Sequence, residues 1–111
     1  MSYAINGSTA SLAPFHQQWI DLPMGTDQAK RPIFAAAKHV QLEFDQCSTA
    51  NYRQWAQLHG TSLVSVTLLN MDGSSYTAYT GSNISLALTA RPQFQAGNVS
   101  PFTITITNIV P

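Results

Sequence analysis

The chain has 111 residues, five Lys and Arg against five Asp and Glu, and 9% charged residues where about 25% is usual. That length sets one domain with one core, and a formal net charge of zero excludes the electrostatic footprint of a nucleic-acid or anionic-membrane binder, which needs clustered Lys and Arg. No apolar run nears the roughly 20 residues of a membrane-spanning helix, and Met1–Gly7 lacks the basic and apolar regions of an export signal, so the sequence reads as soluble and not exported by a signal of its own.

In chain order, residues 1–14 are mostly Ser, Ala, Gly and Asn without a sustained period, and they read as a flexible or partner-ordered N-terminal arm. Residues 15–111 then form a single β-sandwich domain. Phe15, Trp19, Ile20 and Leu22 mark an edge strand stopped by Pro23, and residues 25–32, with Lys30 and Arg31 before Pro32, read as a loop. A strand is predicted from Ile33 to Phe44, where Val40, Leu42 and Phe44 alternate with His39, Gln41 and Glu43. The one helix is predicted at about 48–59, capped by Ser48 or Thr49 and stopped by Gly60, with Tyr52, Trp55, Ala56 and His59 on one face.

After Gly60 the period returns to two. Leu63–Leu69 turns Val64, Val66 and Leu68 inward, Asn70–Ser74 makes a turn, Ser75–Thr80 pairs back, and Ile84, Leu86 and Leu88 complete a meander. A long connection, 91–101, leads to the final strand, where Phe102, Ile104 and Ile106 alternate with Thr103, Thr105 and Thr107. The fold class that follows is mainly β: an antiparallel β-sandwich or small barrel with one flanking helix. The uncharged threonine row can stay solvated or lie against another subunit without the cost of desolvating a charge.

The chemistry-bearing residues form no recognisable constellation. One cysteine, Cys47, leaves no internal disulfide and reads as a small half-buried hydrophobe rather than a nucleophile. His39 and Glu43 share a strand face about 13 Å apart, too far for one metal to bridge, and with Asp45 and Cys47 they match no ligand spacing. His16, His39 and His59 are the only candidate bases, no Gly-x-Ser-x-Gly elbow is present, and Asp21, Asp27, Glu43, Asp45 and Asp72 are scattered. His59 at the helix end suits the negative pole of the helix dipole. Gly73 and Gly81 are each explained by a turn, so no phosphate loop is read, and Asn6-Gly7-Ser8 and Asn83-Ile84-Ser85 match the glycosylation pattern by coincidence. No catalytic residue, metal or cofactor is expected, and a small hydrolase is the weakest reading. Tyr52, Trp55, Trp19, Tyr76 and Tyr79 could instead offer an aromatic platform for sugar rings, with Asn and Gln bonding the hydroxyls; Tyr76 and Tyr79 face opposite ways, so one of them is expected outside.

The order of features resembles small virion structural proteins of tailed bacteriophages: a strand Val40-x-Leu42-x-Phe44, a helix Tyr52-x-x-Trp55-x-x-Leu58, a β-meander and a last strand from Pro101 through Ile109. The resemblance spans about residues 33–110 and carries no catalytic residues. It implies a tail, neck or capsid-cement component, located in the virion and assembled in the host cytoplasm, whose partners are copies of itself and other virion proteins rather than nucleic acid or membrane. Tube lumens in that group are often strongly acidic, and this chain is not. Candidate interface residues are Tyr3, Ile5, Phe15, Trp19, Arg31, Tyr79 and Phe94, with the arm and residues 24–34 and 91–101 making contacts. Deleting residues 1–14 should then leave the fold intact and weaken assembly. The alternative is a carbohydrate-binding β-sandwich module.

Overall fold

The computed structural model describes residues 3–10, 12–81 and 83–111. The first half of the chain holds β1 (Ala4–Ile5), β2 (Ser8–Thr9), β3 (His16–Ile20), β4 (Pro23–Thr26), β5 (Pro32–Phe34), β6 (Lys38–Phe44), β7 (Cys47–Ser48) and α1 (Thr49–Ala56). The second half holds β8 (Thr61–Ser62), β9 (Ser65–Leu69), β10 (Tyr76–Thr80), β11 (Ser85–Leu88), β12 (Phe94–Gln95), β13 (Asn98–Val99) and β14 (Phe102–Ile109). They make a five-stranded sheet β3-β6-β14-β11-β8, a four-stranded sheet β10-β9-β1-β2, a small sheet β12-β13-β7 and a separate hairpin β4-β5, with every pair antiparallel. The fold is therefore mainly β and sandwich-like with one flanking helix, as the sequence periods predict.

The centre of the body is the β6–β14 ladder. Phe102 faces Phe44, Ile104 faces Leu42 and Ile106 faces Val40, and all six are buried, each contributing roughly 1.5–3 kcal/mol by leaving water. The register shifts between Ile106 and Ile109 at Asn108, whose φ is +63° and whose Nδ2 donates to the Asn83 carbonyl at 3.0 Å. This bulge moves the inward face by one residue, so that Ile109 is fully buried although strict alternation would put it outside.

The helix begins where expected: the Ser48 hydroxyl accepts from Asn51 N–H at 3.3 Å. It ends at Ala56, earlier than predicted, because Leu58 and His59 bond back only three residues, to Trp55 and Ala56, in a tighter turn before Gly60 at φ +77°. Trp55 is wholly buried against Phe44 at 5.0 Å, and Tyr52 meets Phe102 edge-on at 5.1 Å, so the helix closes the Phe44–Phe102 end of the sandwich.

Four expectations are corrected. The strand read as 33–44 is two strands, since the chain between Phe34 and Lys38 breaks and β5 belongs to a different hairpin. The meander is not one: β9 and β10 pair in the four-stranded sheet, but β11 crosses over to lie between β14 and β8. Val64 precedes β9 and is exposed, whereas Thr67 is buried, because β9 is flanked on both sides and covered on both faces. Residues 3–10 are not an arm. Ile5 pairs with Val66 and Ala4 with Thr67, Tyr3 and Ile5 are buried, and Asn6 and Gly7 (φ +51° and +84°) form the two-residue turn that returns β2. The Asn6 carboxamide oxygen accepts from Val64 and Ser65 N–H, at 2.7 and 3.3 Å, and fastens the turn to β9.

Candidate functional site

The predicted interface residues separate into two groups. Tyr3, Ile5 and Tyr79 lie in the core and present no surface. Tyr3 packs edge-on against Tyr76 at 5.2 Å and donates to the Gln17 side chain at 2.7 Å; burial, with a smaller contribution from Tyr76, pushes its hydroxyl up to about 12. Trp19 is half-buried against Tyr79 and donates from Nε1 to the Leu69 carbonyl at 3.1 Å, which ties β3 to β9. Tyr76 is half-buried and Tyr79 buried, so neither is the exposed tyrosine that alternation suggests. The two face different neighbours but both find cover, Tyr76 on Tyr3 and Tyr79 on Trp19.

Phe15, Arg31 and Phe94 are at the surface, and the last two belong to the two most distinctive surface features. The first is the β4–β5 hairpin. All seven of its strand residues are exposed, including the large apolar side chains of Met24, Ile33 and Phe34. Its ladder bulges between Pro23 and Gly25. The tip is nonetheless ordered: the Asp27 carboxylate accepts from Ala29 and Arg31 N–H, each at 2.9 Å, and from Arg31 Nε at 3.0 Å, while Lys30 turns the chain at φ +62°. At the root, Lys38 Nζ pairs with Asp21. The molecule measures 56 × 26 × 26 Å with a Cα radius of gyration of 15.2 Å, against about 13 Å for a compact chain of this length.

The second feature is a cleft of about 320 Å3 on the small sheet, lined by Gln46, Gln93, Phe94, Gln95, Asn98 and Ser100 among others. Ala96 and Gly97 form its hairpin turn (φ +48° and +82°), and the Gln93 backbone is clamped to Ser100, N–H to Oγ and carbonyl from N–H, both at 2.9 Å. Phe94 leans edge-on against Tyr52 at 5.5 Å yet stays largely exposed. The lining holds no ionisable side chain.

Catalytic candidates do not converge. His16 Nδ1 lies 3.4 Å from Glu43 on the open face of the large sheet, with His39 at the far end of the same strand, and no group of three His, Cys, Asp or Glu is placed to hold a metal among the described residues. Cys47 is half-buried against the core, and that burial raises its thiol pKa, which disfavours the thiolate a nucleophile needs. His59 serves the fold differently from the dipole expectation: it lies past the helix, and its Nδ1 accepts from Leu88 N–H at 2.9 Å. Ser74 donors hold the Asp72 carboxyl below its ordinary range, consistent with a turn residue. No helix is long and apolar enough to cross a membrane among the described residues. No family model, curated protein or solved structure matches the chain.

Proposed function

We propose that this protein is a non-enzymatic assembly subunit, a virion structural component of the tail, neck or capsid-cement type, acting through contacts with copies of itself and with other virion proteins. The observation that carries the reading is the β4–β5 hairpin, which holds Met24, Ile33 and Phe34 in water beside a tip that carries Asp27, Lys30 and Arg31. An ordered two-stranded hairpin with an apolar flank gains its cover from a neighbour, since isolated hairpins are marginal in water. The absence of net charge removes the self-repulsion that keeps subunits apart.

Light scattering over a wide concentration range tests this reading. A defined oligomer or filament supports it, and a single-subunit mass throughout, with no retention on virion proteins, overturns it. A second reading, a carbohydrate-binding module, has one observation in its favour: a hollow of about 400 Å3 beside Trp19 that also gathers Gln17, Gln18, Asn70 and Asp72. An indole ring next to amide groups suits a sugar. Saccharide-dependent fluorescence lost in Trp19→Ala would favour that module; fluorescence unmoved by polysaccharides would count against it.

A further inference from the structure

The two surface features lie at opposite ends of the central ladder. The β4–β5 hairpin departs three residues after Ile20 and re-enters four before Lys38, at one end of β6. The small sheet joins the other end, because β7 starts three residues after Phe44 and β13 ends three before Phe102. Seven residues of β6 separate them by about 20 Å of strand.

Resting on the assembly reading above, we infer that the β4–β5 hairpin of one copy seats in the Phe94 cleft of the next, making a head-to-tail contact. Three observations commit the cleft to a second copy. Its chemistry complements the hairpin: Gln46, Gln93, Gln95 and Asn98 are exposed amides with no side-chain partner among the described residues, suited to the unpaired backbone of a two-stranded ribbon. Phe94, largely exposed at the cleft, supplies the apolar surface that Ile33 and Phe34 lack in their own chain. The cleft also lacks ionisable groups, so seating the hairpin desolvates none there, and at the hairpin tip Asp27 and Arg31 neutralise each other, leaving Lys30 as the one unpaired charge among the described residues of the hairpin.

The chain exposes 6580 Å2, whereas a compact monomer of 12.1 kDa exposes about 6,000 Å2. The excess goes with the elongated 56 × 26 × 26 Å shape of the molecule. A contact between two different patches is heterologous, so it closes a ring or runs on as a filament rather than stopping at a two-fold dimer.

The test uses two surface variants of the full chain, Phe34→Asp in the hairpin and Phe94→Asp in the cleft, each checked for folding by circular dichroism. Because Phe94 also touches Tyr52, Gln95→Arg serves as a second cleft variant. Light scattering should show the wild type growing in mass with concentration, and each variant alone staying at one subunit to at least tenfold higher concentration. An equimolar mixture of Phe34→Asp with either cleft variant should recover a two-subunit species, since one copy keeps a sound cleft and the other a sound hairpin. No recovery in the mixture overturns the head-to-tail contact, and cleft variants that still assemble alone, where Phe34→Asp does not, overturn it in favour of hairpin against hairpin. Wild-type assembly unchanged in the variants overturns this contact while leaving the assembly reading in place; a wild type that stays at one subunit at every concentration overturns this contact, and overturns the assembly reading too when it is also not retained on virion proteins.

Discussion

Residues 3–10 and residues 21–37 both lack a sustained period, the first uncharged and the second carrying Asp21, Asp27, Lys30 and Arg31, and the protein uses them in opposite ways. The first contributes Tyr3 and Ile5 to the core and is fastened to β9 by a ladder and by the Asn6 side chain. The second orders itself through Asp27 and leaves Met24, Ile33 and Phe34 in solvent. What separates them is a receiving edge: β9 offers its free side to β1, while β4 and β5 have only each other. Order within a segment and burial of that segment are thus set independently.

The sharpest way to break the comparison is to remove each segment. Deleting residues 1–10 should cost about 4 kcal/mol or more, from two buried side chains at roughly 1.5–3 each, a large part of a small domain's stability. Urea unfolding would show it, and an unchanged midpoint would mean the segment is an arm after all. Replacing residues 23–34 with a two-residue turn should move stability by less than about 1 kcal/mol, because little but loop closure is altered. Point substitutions sharpen the contrast: Ile5→Ala is expected to cost about 2–4 kcal/mol and Phe34→Ser under about 0.5, read from the same titrations.

A smaller effect distinguishes the segments by pH. Tyr3 ionises near 10 in the unfolded chain and near 12 in the fold, so its share of stability is complete below pH 10 and is lost as pH rises to 12. Tyr3→Phe should flatten that part of the stability–pH curve. The smallest expected change is Asp27→Ala, which removes three acceptor contacts at an exposed tip and should raise amide exchange at Ala29 and Arg31 while leaving the melting temperature within a degree or two.

The long periodic elements were legible in the sequence because their periods run for many residues: six alternating side chains define β6 and β14, and a cap, a stripe and Gly60 define the helix. Two-residue strands such as β1, β12 and β13 are too short to show a period, so the sequence places Tyr3 and Ile5 among surface contacts rather than in the core. The crossover of β11 was hidden because alternation reports which face is apolar and not which sheet receives it. Residues 24–34 and 91–101 could be marked as contact segments from composition, but that they stand at opposite ends of one ladder emerges only from the strand order.

The prolines at the start of β4 and β5 have a consequence for the protein at high concentration. An exposed hairpin with Met24, Ile33 and Phe34 would ordinarily invite runaway pairing with any loose strand. Pro23 and Pro32 each remove a backbone donor, and the bulge beside Pro23 kinks the ribbon, so the edge is a poor template for further strands. The hairpin can thus keep its apolar side chains exposed while being guarded against amyloid-like growth, which raises the concentration the folded protein tolerates before it aggregates.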